Sequence, residues 1–435
     1  MSKLTGYFLN TIFQSLTGNL MALRALHSLF ITTLISLVTS TAFADVVSSK
    51  RGLAYSGLQP ADLTAMNEHI AWWYNWAEVP EESAGDNATQ YGVEYVPMAL
   101  NATFDETAMR TYLSAHPEVK YLLAFNEPNF TDQANLTPQQ AADAWPTLEA
   151  IADDYDLKIV GPAMNYSAGE VDIPDTDDDG SPFAYLDAFF AACSDCRVDY
   201  IAIHSYMGSL ASFEWYVNEF YSRYNKPIWV TEWNYSNDTI SLENQMDYLA
   251  QTVRWMEQQS FVFRYAWFIG RTSGGAATSP YIDILATTAG QWTALGSLYQ
   301  GIPGTDYYAS LPATLQAEHA YTLSGMHHRA TTDSAGDPVV QLFSDQDDSE
   351  QKLTFQVNSS SDKTYNLNMS YATGSNSQLS IQVDDNTAQN LFLPNTGGVY
   401  FWETATTSLY LSSGDHTITI TATSGYPGFD WFKFE

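Results

Sequence analysis

Basic side chains are scarce: 17 lysines and arginines stand against 50 aspartates and glutamates, a net charge of −33 over 435 residues. So anionic a surface repels nucleic acid and anionic membranes. It also disfavours strongly anionic polysaccharides, whereas a neutral glycan meets no such barrier. The same acidity keeps an exported protein soluble. Cysteine is nearly absent, with Cys193 and Cys196 in a lone Cys-Ser-Asp-Cys. Two cysteines are too few for a disulfide-framed fold or for a structural zinc site. They could close a local disulfide that pins one loop or helix end, and nothing thioredoxin-like surrounds them to suggest redox chemistry. Internal repeats and long low-complexity tracts are also missing, which speaks against an adhesin or a structural coat.

Long apolar runs are absent too. The stretch Leu29 to Val38 is too short to span a bilayer. It sits instead in an export signal: Arg24 and His27 precede it, and Ala42-Phe43-Ala44 supplies a small-x-small cleavage site ahead of Asp45. Residues 1–20 fit this pattern less well, so Met21 reads as the start, and no cysteine at the cleavage point offers a lipid anchor. Residues 1–44 are therefore set aside from the fold. A secreted or periplasmic monomer with no membrane partner is expected.

Aromatics, by contrast, make up 14% of the chain, with 12 Trp and 28 Tyr. They fill cores, and sugar rings stack on their faces. Between residues 50 and 300, short apolar runs recur with amphipathic stretches between them. They read Arg51–Tyr55, Ile70–Tyr74, Glu94–Met98, Tyr121–Phe125, Leu157–Gly161, Tyr200–His204, Pro227–Thr231 and Arg264–Phe268. Continuous rather than alternating apolarity suits strands buried on both faces. Thr137-Pro138 predicts a helix start, and Leu242 to Gln258 has helical spacing. Eight strand–helix alternations over about 250 residues predict a (β/α)8 barrel of TIM type across residues 45–302. Residues 303–314 read as a linker. From Leu315 to the C-terminus the strands alternate and are separated by turn residues, predicting an all-β jelly-roll sandwich.

In such a barrel the chemistry sits where strands end. The fourth strand ends Phe125-Asn126-Glu127-Pro128-Asn129 and the seventh Val230-Thr231-Glu232-Trp233-Asn234. Burying one glutamate there is costly without a partner, and neither motif contains Arg or Lys. Two carboxyl groups facing each other across a mouth are what glycoside hydrolysis requires: one protonates the leaving oxygen, and the other attacks the anomeric carbon or activates water. Close carboxylates should raise one pKa and keep the acid protonated near neutral pH. Asn126 could bind a sugar hydroxyl, and His204 and Tyr206 could orient the nucleophile. Trp267 could floor a subsite, with Tyr74, Trp76 and Trp233 as further sugar contacts. This chemistry needs no cofactor.

These residues together resemble the catalytic core of glycoside hydrolase family 128. The matching stretches are Gly52–Tyr55, Trp73–Trp76, Val96–Met98, Phe125–Asn129, Cys196–Asp199, Ile203-His204, Lys226–Glu232 and Arg264–Phe268. The resemblance implies a retaining endo-β-1,3-glucanase acting on laminarin- or curdlan-type glucan, with Glu127 as acid/base and Glu232 as nucleophile. Ser205, where an aromatic is expected after the histidine, and the acidic insert near residues 170–180 depart from the pattern. Another neutral linkage (β-1,4, mixed-linkage or agar) and a non-catalytic glycan-binding barrel are the alternatives.

The C-terminal part resembles carbohydrate-binding module family 6 through Leu315–Glu318, Tyr371-Ala372, Pro394–Gly398, Trp402–Thr404, Ser413–Ile418 and Phe429–Trp431. That resemblance implies a structural calcium ion held by Gln316, Glu318 and Asp430, and a stacking platform at Trp402. The family's ligand-binding asparagine near the C-terminus is replaced by Gly428 or Phe429. Asp175-Thr-Asp177-Asp-Asp179-Gly180 has the spacing that starts a calcium loop, but Leu186 occupies the position of the bidentate acid. A solvated acidic loop is the simpler expectation there.

Overall fold

A computed structural model describes residues 47–84, 88–236, 240–272, 281–332, 338–345 and 350–435. The expected export segment, residues 1–44, lies outside the described residues.

The strands of the α/β part are β1 (Arg51–Ala54), β2 (Trp72–Tyr74), β3 (Glu94–Tyr95), β4 (Met98–Ala99), β5 (Tyr121–Ala124), β6 (Lys158–Met164), β7 (Tyr200–Ser205), β8 (Ile228–Trp233) and β9 (Val262–Phe268). They form one curled parallel sheet in the order β3-β2-β1-β9-β8-β7-β6-β5-β4. The run expected as a single strand at 94–98 is split. Pro97 has no amide to donate, and the ladder changes edge around it. β3 pairs with β2, and β4 pairs with β5, so both margins of the sheet belong to one stretch of chain.

The connecting helices are α1 (Pro60–Met66), α2 (Glu106–Ala115), α3 (Pro138–Tyr155), α4 (Pro182–Ala192), α5 (Leu210–Tyr224), α6 (Leu242–Gln258) and α7 (Ala294–Gly301). Most begin on a side-chain cap. Asp105, Thr137, Ser181, Ser209, Ser241 and Thr293 each accept a backbone amide of the first turn. A cap of this kind contributes about 1 kcal/mol. Thr137 also forms a capping box with Gln140, followed by Pro138 at the first helical position. Cys193 and Cys196 are joined by a disulfide just past α4.

Strand side chains alternate between two cores. Ala54, Trp72, Tyr74, Met98, Leu123, Val160, Ala202, Trp229 and Ala266 fill the inside of the curl. Leu53, Trp73, Ile159, Ile203, Val230, Trp233 and Trp267 pack outward against the helices. Gly52 is required by this packing, because a Cβ there would lie 2.3 Å from the indole of Trp72. Arg264 closes the inner core, paired with Glu94 and stacked among the rings of Trp72, Tyr121 and Trp229. Each large apolar side chain so buried contributes about 1.5–3 kcal/mol.

The all-β part packs two mainly antiparallel sheets. One has Lys352–Ser359 and Gly414–Ser424 at its centre, and the other has Gly428–Phe434 and Lys363–Thr373. Leu353, Phe355, Leu367, Ile418, Ile420 and Phe432 fill the space between them. The stretch expected as a linker is not free. Ala309–Ser310 pairs with Lys352–Ser359, and Ala313–Gln316 pairs with Gly428–Phe434. The two parts fall within one compact unit. Buried Arg254 of α6 donates to the carbonyls of Ala320 (2.9 Å) and Glu318 (2.8 Å), and His328 Nδ1 lies 2.7 Å from Oδ1 of Asp247.

Candidate active site

Glu127 stands where the chain leaves β5. The ladder continues past the strand: Asn126 N donates to Leu100 O (2.8 Å) and Glu127 N to Ala163 O (3.0 Å). Glu127 is held at φ 42°, a left-handed conformation that costs a non-glycine residue about 1–2 kcal/mol. Its side chain is fixed from two strands. Asn165 Nδ2 donates to Oε1 (3.0 Å), and His204 Nδ1 lies 2.7 Å from the same oxygen. Asn129 Nδ2 in turn donates to the carbonyl of Asn165 (2.7 Å), so the second asparagine of the motif locks this corner.

Glu232 lies near the end of β8 in a cage of donors. Tyr74 Oη (3.1 Å) and Trp76 Nε1 (2.7 Å) donate to Oε1, and Tyr206 Oη (2.5 Å) donates to Oε2. Burial, reinforced by the charge of Glu232, pushes both phenols well above their ordinary pKa, so they remain donors. Trp76 also has a left-handed backbone, at φ 60°. Phe268 completes the wall, 5.9 Å from Trp76 and 5.9 Å from Tyr206 between ring centroids.

A carboxylate oxygen of Glu127, one of Glu232 and a ring nitrogen of His204 all lie within 4.8 Å of one another. His204 Nδ1 is also 3.5 Å from Glu232 Oε2, and the ring is fully buried. Burial lowers the His204 pKa, but the charges of Glu232 and Glu127 outweigh it and raise the net value. Burial raises Glu127, yet the charge and hydrogen bond of His204, helped by Asn165, leave it below the ordinary glutamate value. The expectation that the second carboxylate would raise the acid is therefore corrected. The histidine between them is the group whose value the two carboxylates raise, and it lies within hydrogen-bond distance of Glu127. Three such donors could also ligate a divalent cation. To do so they would have to break the Glu127–His204 contact and the three-donor cage, and the set as it stands is built for proton chemistry.

Two sugar contacts expected from sequence are corrected. Trp233 and Trp267 are 0% exposed and pack edge-to-face 4.4 Å apart in the outer core, with Trp267 Nε1 donating to Ile282 O. Side chains alternate along a strand, so Trp267 points away from the curl between inward Ala266 and Phe268. Trp233 likewise points outward beside Glu232. Asn126 is buried beside Glu127; its Nδ2 donates to Gln133, and its Oδ1 has no partner among the described residues. Asn165 and Phe268 were not singled out from sequence. The available signal was position, since Phe268 is the last residue of β9 and Asn165 directly follows β6.

In the all-β part, Trp402 is half-buried with its ring against Phe343. Gln316 stands opposite Trp431, next to Asp430. Glu318 is buried, its Oε2 has no hydrogen-bond partner among the described residues, and burial plus the charge of Asp430 pushes it up to about 8. An oxygen-only donor set with an orphaned carboxylate oxygen fits a hard cation. Asp175, Asp177 and Asp178 face solvent, and Asp179 accepts the amide of Ile173 (3.0 Å). Those acids do not converge on a common point.

A family model described as glycosyl hydrolase catalytic core matches residues 52–299, and one described as carbohydrate binding module (family 6) matches residues 316–435. The crystal structure of a GH128 (subgroup II) endo-β-1,3-glucanase from Pseudomonas viridiflava is 42% identical, over 59% of this chain and 99% of that one, with a TM-score of 0.53. Its counterpart from Sorangium cellulosum is 38% identical over the same shares, also with a TM-score of 0.53. Alkali-sensitive linkage protein 1 of Schizosaccharomyces pombe is 29% identical over 263 residues, 58% of this chain. The match spans 44% of that curated relative's length.

Proposed function

The chain belongs to the glycosyl hydrolase catalytic-core family, and from that membership we propose that it is a retaining endo-β-1,3-glucanase acting on laminarin- or curdlan-type glucan. The observation that carries the proposal is the approach of Glu127 and Glu232 to within 4.8 Å, oxygen to oxygen. Retaining enzymes hold their carboxyl groups about 5–5.5 Å apart, whereas inverting ones leave a wider gap for water. The likeness to two GH128 endo-β-1,3-glucanases supports the linkage.

In the first step Glu232 attacks the anomeric carbon while the bond to the glycosidic oxygen breaks. That oxygen takes the proton shared by Glu127 and His204. Glu232 loses its charge as the ester forms, so the hold of that charge on the His204 proton weakens as the proton is needed. In the second step water attacks the same carbon, its proton returns to Glu127, and the ester bond to Glu232 breaks. Tyr74, Trp76 and Tyr206 fix the nucleophile, and the open Oδ1 of Asn126 accepts a sugar hydroxyl. No step requires a metal or cofactor.

The frame of this reading is a closed (β/α)8 barrel followed by a jelly roll. Pairing of residues 94–99 on both edges supports closure. The second domain would bind glucan through Trp402, and Gln316, Glu318 and Asp430 would hold a calcium ion that stabilises it. Export as a monomer completes the proposal. Purified protein incubated with laminarin, curdlan and mixed-linkage glucan tests it, with the anomeric proton of the first product followed by NMR. Release of β-anomers from β-1,3-glucan is expected. Release of α-anomers would refute retention, and no cleavage of any β-1,3-glucan would refute the activity.

A further inference from the structure

We propose that Tyr166 and Trp215 form a platform for the leaving-group arm of the glucan chain. The inference rests on the hydrolase reading above and adds the direction in which substrate lies. Both rings are exposed, Tyr166 by 43% and Trp215 by 51%. Neither is a loose surface residue. Tyr166 and Trp215 each meet buried Phe183 in an edge-to-face contact, both at 6.3 Å between ring centroids. Buried Tyr216 touches both, at 5.5 and 6.4 Å, and its hydroxyl is aimed at Met164 O at the end of β6. Two half-open rings are thus mounted on a rigid base and lose little side-chain freedom when a ligand docks.

Their place follows from the two carboxylates. Glu232 is enclosed by Tyr74, Trp76, Tyr206 and Phe268, and it reacts with the sugar that stays on the enzyme. Glu127 reacts with the oxygen of the sugar that leaves. The residue beyond Glu127 is Asn165, whose Nδ2 donates to it, and Tyr166 follows directly with its amide bonded to Asn165 Oδ1 (2.9 Å). A chain leaving past Glu127 therefore meets Tyr166, and Trp215 on α5 is joined to Tyr166 through the rings of Phe183 and Tyr216 that both share. β-Linked glucosyl units present apolar C–H faces, which stack on aromatic faces.

The test compares kcat/KM on laminarihexaose, which extends along the leaving arm, with that on 4-nitrophenyl β-laminaribioside, whose arm is one aryl ring. The hexaose-to-aryl ratio is expected to fall about ten-fold in Tyr166→Ala and in Trp215→Ala, and further in the double variant. Tyr166→Phe and Trp215→Phe should restore it. If Trp215→Ala fails to fold, Trp215→Leu replaces it. Ratios within two-fold of wild type, with wild type cutting both substrates, overturn the platform alone. A wild type that cuts neither substrate overturns the hydrolase reading and the platform with it.

Discussion

His204 Nδ1 stands 2.7 Å from Glu127 Oε1, and its ring, fully buried, faces Glu232 as well. The carboxylate charges raise the histidine and the histidine lowers Glu127, so in the proposed mechanism the pair is expected to keep one proton until pH rises through the raised histidine value. Removing the ring leaves that proton on a carboxyl group. In His204→Asn the alkaline limb of the kcat/KM profile is expected to move to lower pH, because a carboxyl group then holds the proton in place of a histidine whose value is raised. A limb that stays in place would show that His204 does not hold the proton.

Three neutral donors fix Glu232, and each can be removed singly. A hydrogen bond to a charged group is worth about 1.5–3 kcal/mol, or about 10- to 100-fold in rate when it orients the nucleophile. Tyr206→Phe and Tyr74→Phe should each lower kcat on laminarin by that factor. Glu232→Ala should lower it by about a thousand-fold or more. Added azide should then restore bond cleavage and give an α-glycosyl azide.

Inside and outside of the curl are separated by one residue on β9. Phe268→Ala opens the wall beside Trp76 and should lower kcat/KM, with little change in melting temperature. Trp267→Ala leaves a cavity in the outer core and should cost about 3–5 kcal/mol of stability. Calorimetry and initial rates on the same two proteins check both halves.

Position along a strand was what the sequence made legible, and facing was what was lost. The apolar runs marked β5 and β8, and their C-terminal glutamates stood out because nothing nearby paired them. Aromatic identity alone does not set facing for Trp233 and Trp267: strand alternation turns both outward, and inward Glu232 already implies an outward neighbour. Asn165 carries no local signal, because Gly161-Pro162-Ala163 interrupts the apolar run before β6 ends at Met164. The pairing of Glu127 with His204 is a 2.7 Å contact between residues far apart in sequence, which no local pattern encodes.

Arg254 ties the two domains through a buried guanidinium. Its burial lowers its pKa to about 10, yet it remains charged at neutral pH and donates to two carbonyls across the junction. Arg254→Met would leave the Ala320 and Glu318 carbonyls unpaired, at about 1–3 kcal/mol each. A lower melting temperature is expected, with a single unfolding transition separating into two as the domains uncouple. A single unshifted transition would show that the junction does not depend on this residue.

The raised carboxyl of Glu318 should give the all-β domain a pH-dependent stability, and the proposed calcium ion should alter it. Burial and Asp430 raise the carboxyl to about 8, so the folded state keeps a proton that the unfolded chain has released above its ordinary value near 4.5. The unfolded state then binds fewer protons, and stability must fall as pH rises between those two values. With a chelator present, the melting temperature should therefore decline from about pH 5 to about pH 8. A calcium ion at Gln316, Glu318 and Asp430 favours the ionised carboxylate and reverses this sign, so added calcium should flatten the decline and raise the melting point most at the alkaline end. Glu318→Gln should lose both the slope and the calcium response. Turnover of soluble laminarin should ignore the chelator at temperatures where the domain stays folded, because the proposed reaction draws on Glu127, His204 and Glu232 and needs no metal. If the chelator abolished turnover while folding persisted, those three donors would have to be reassigned as metal ligands.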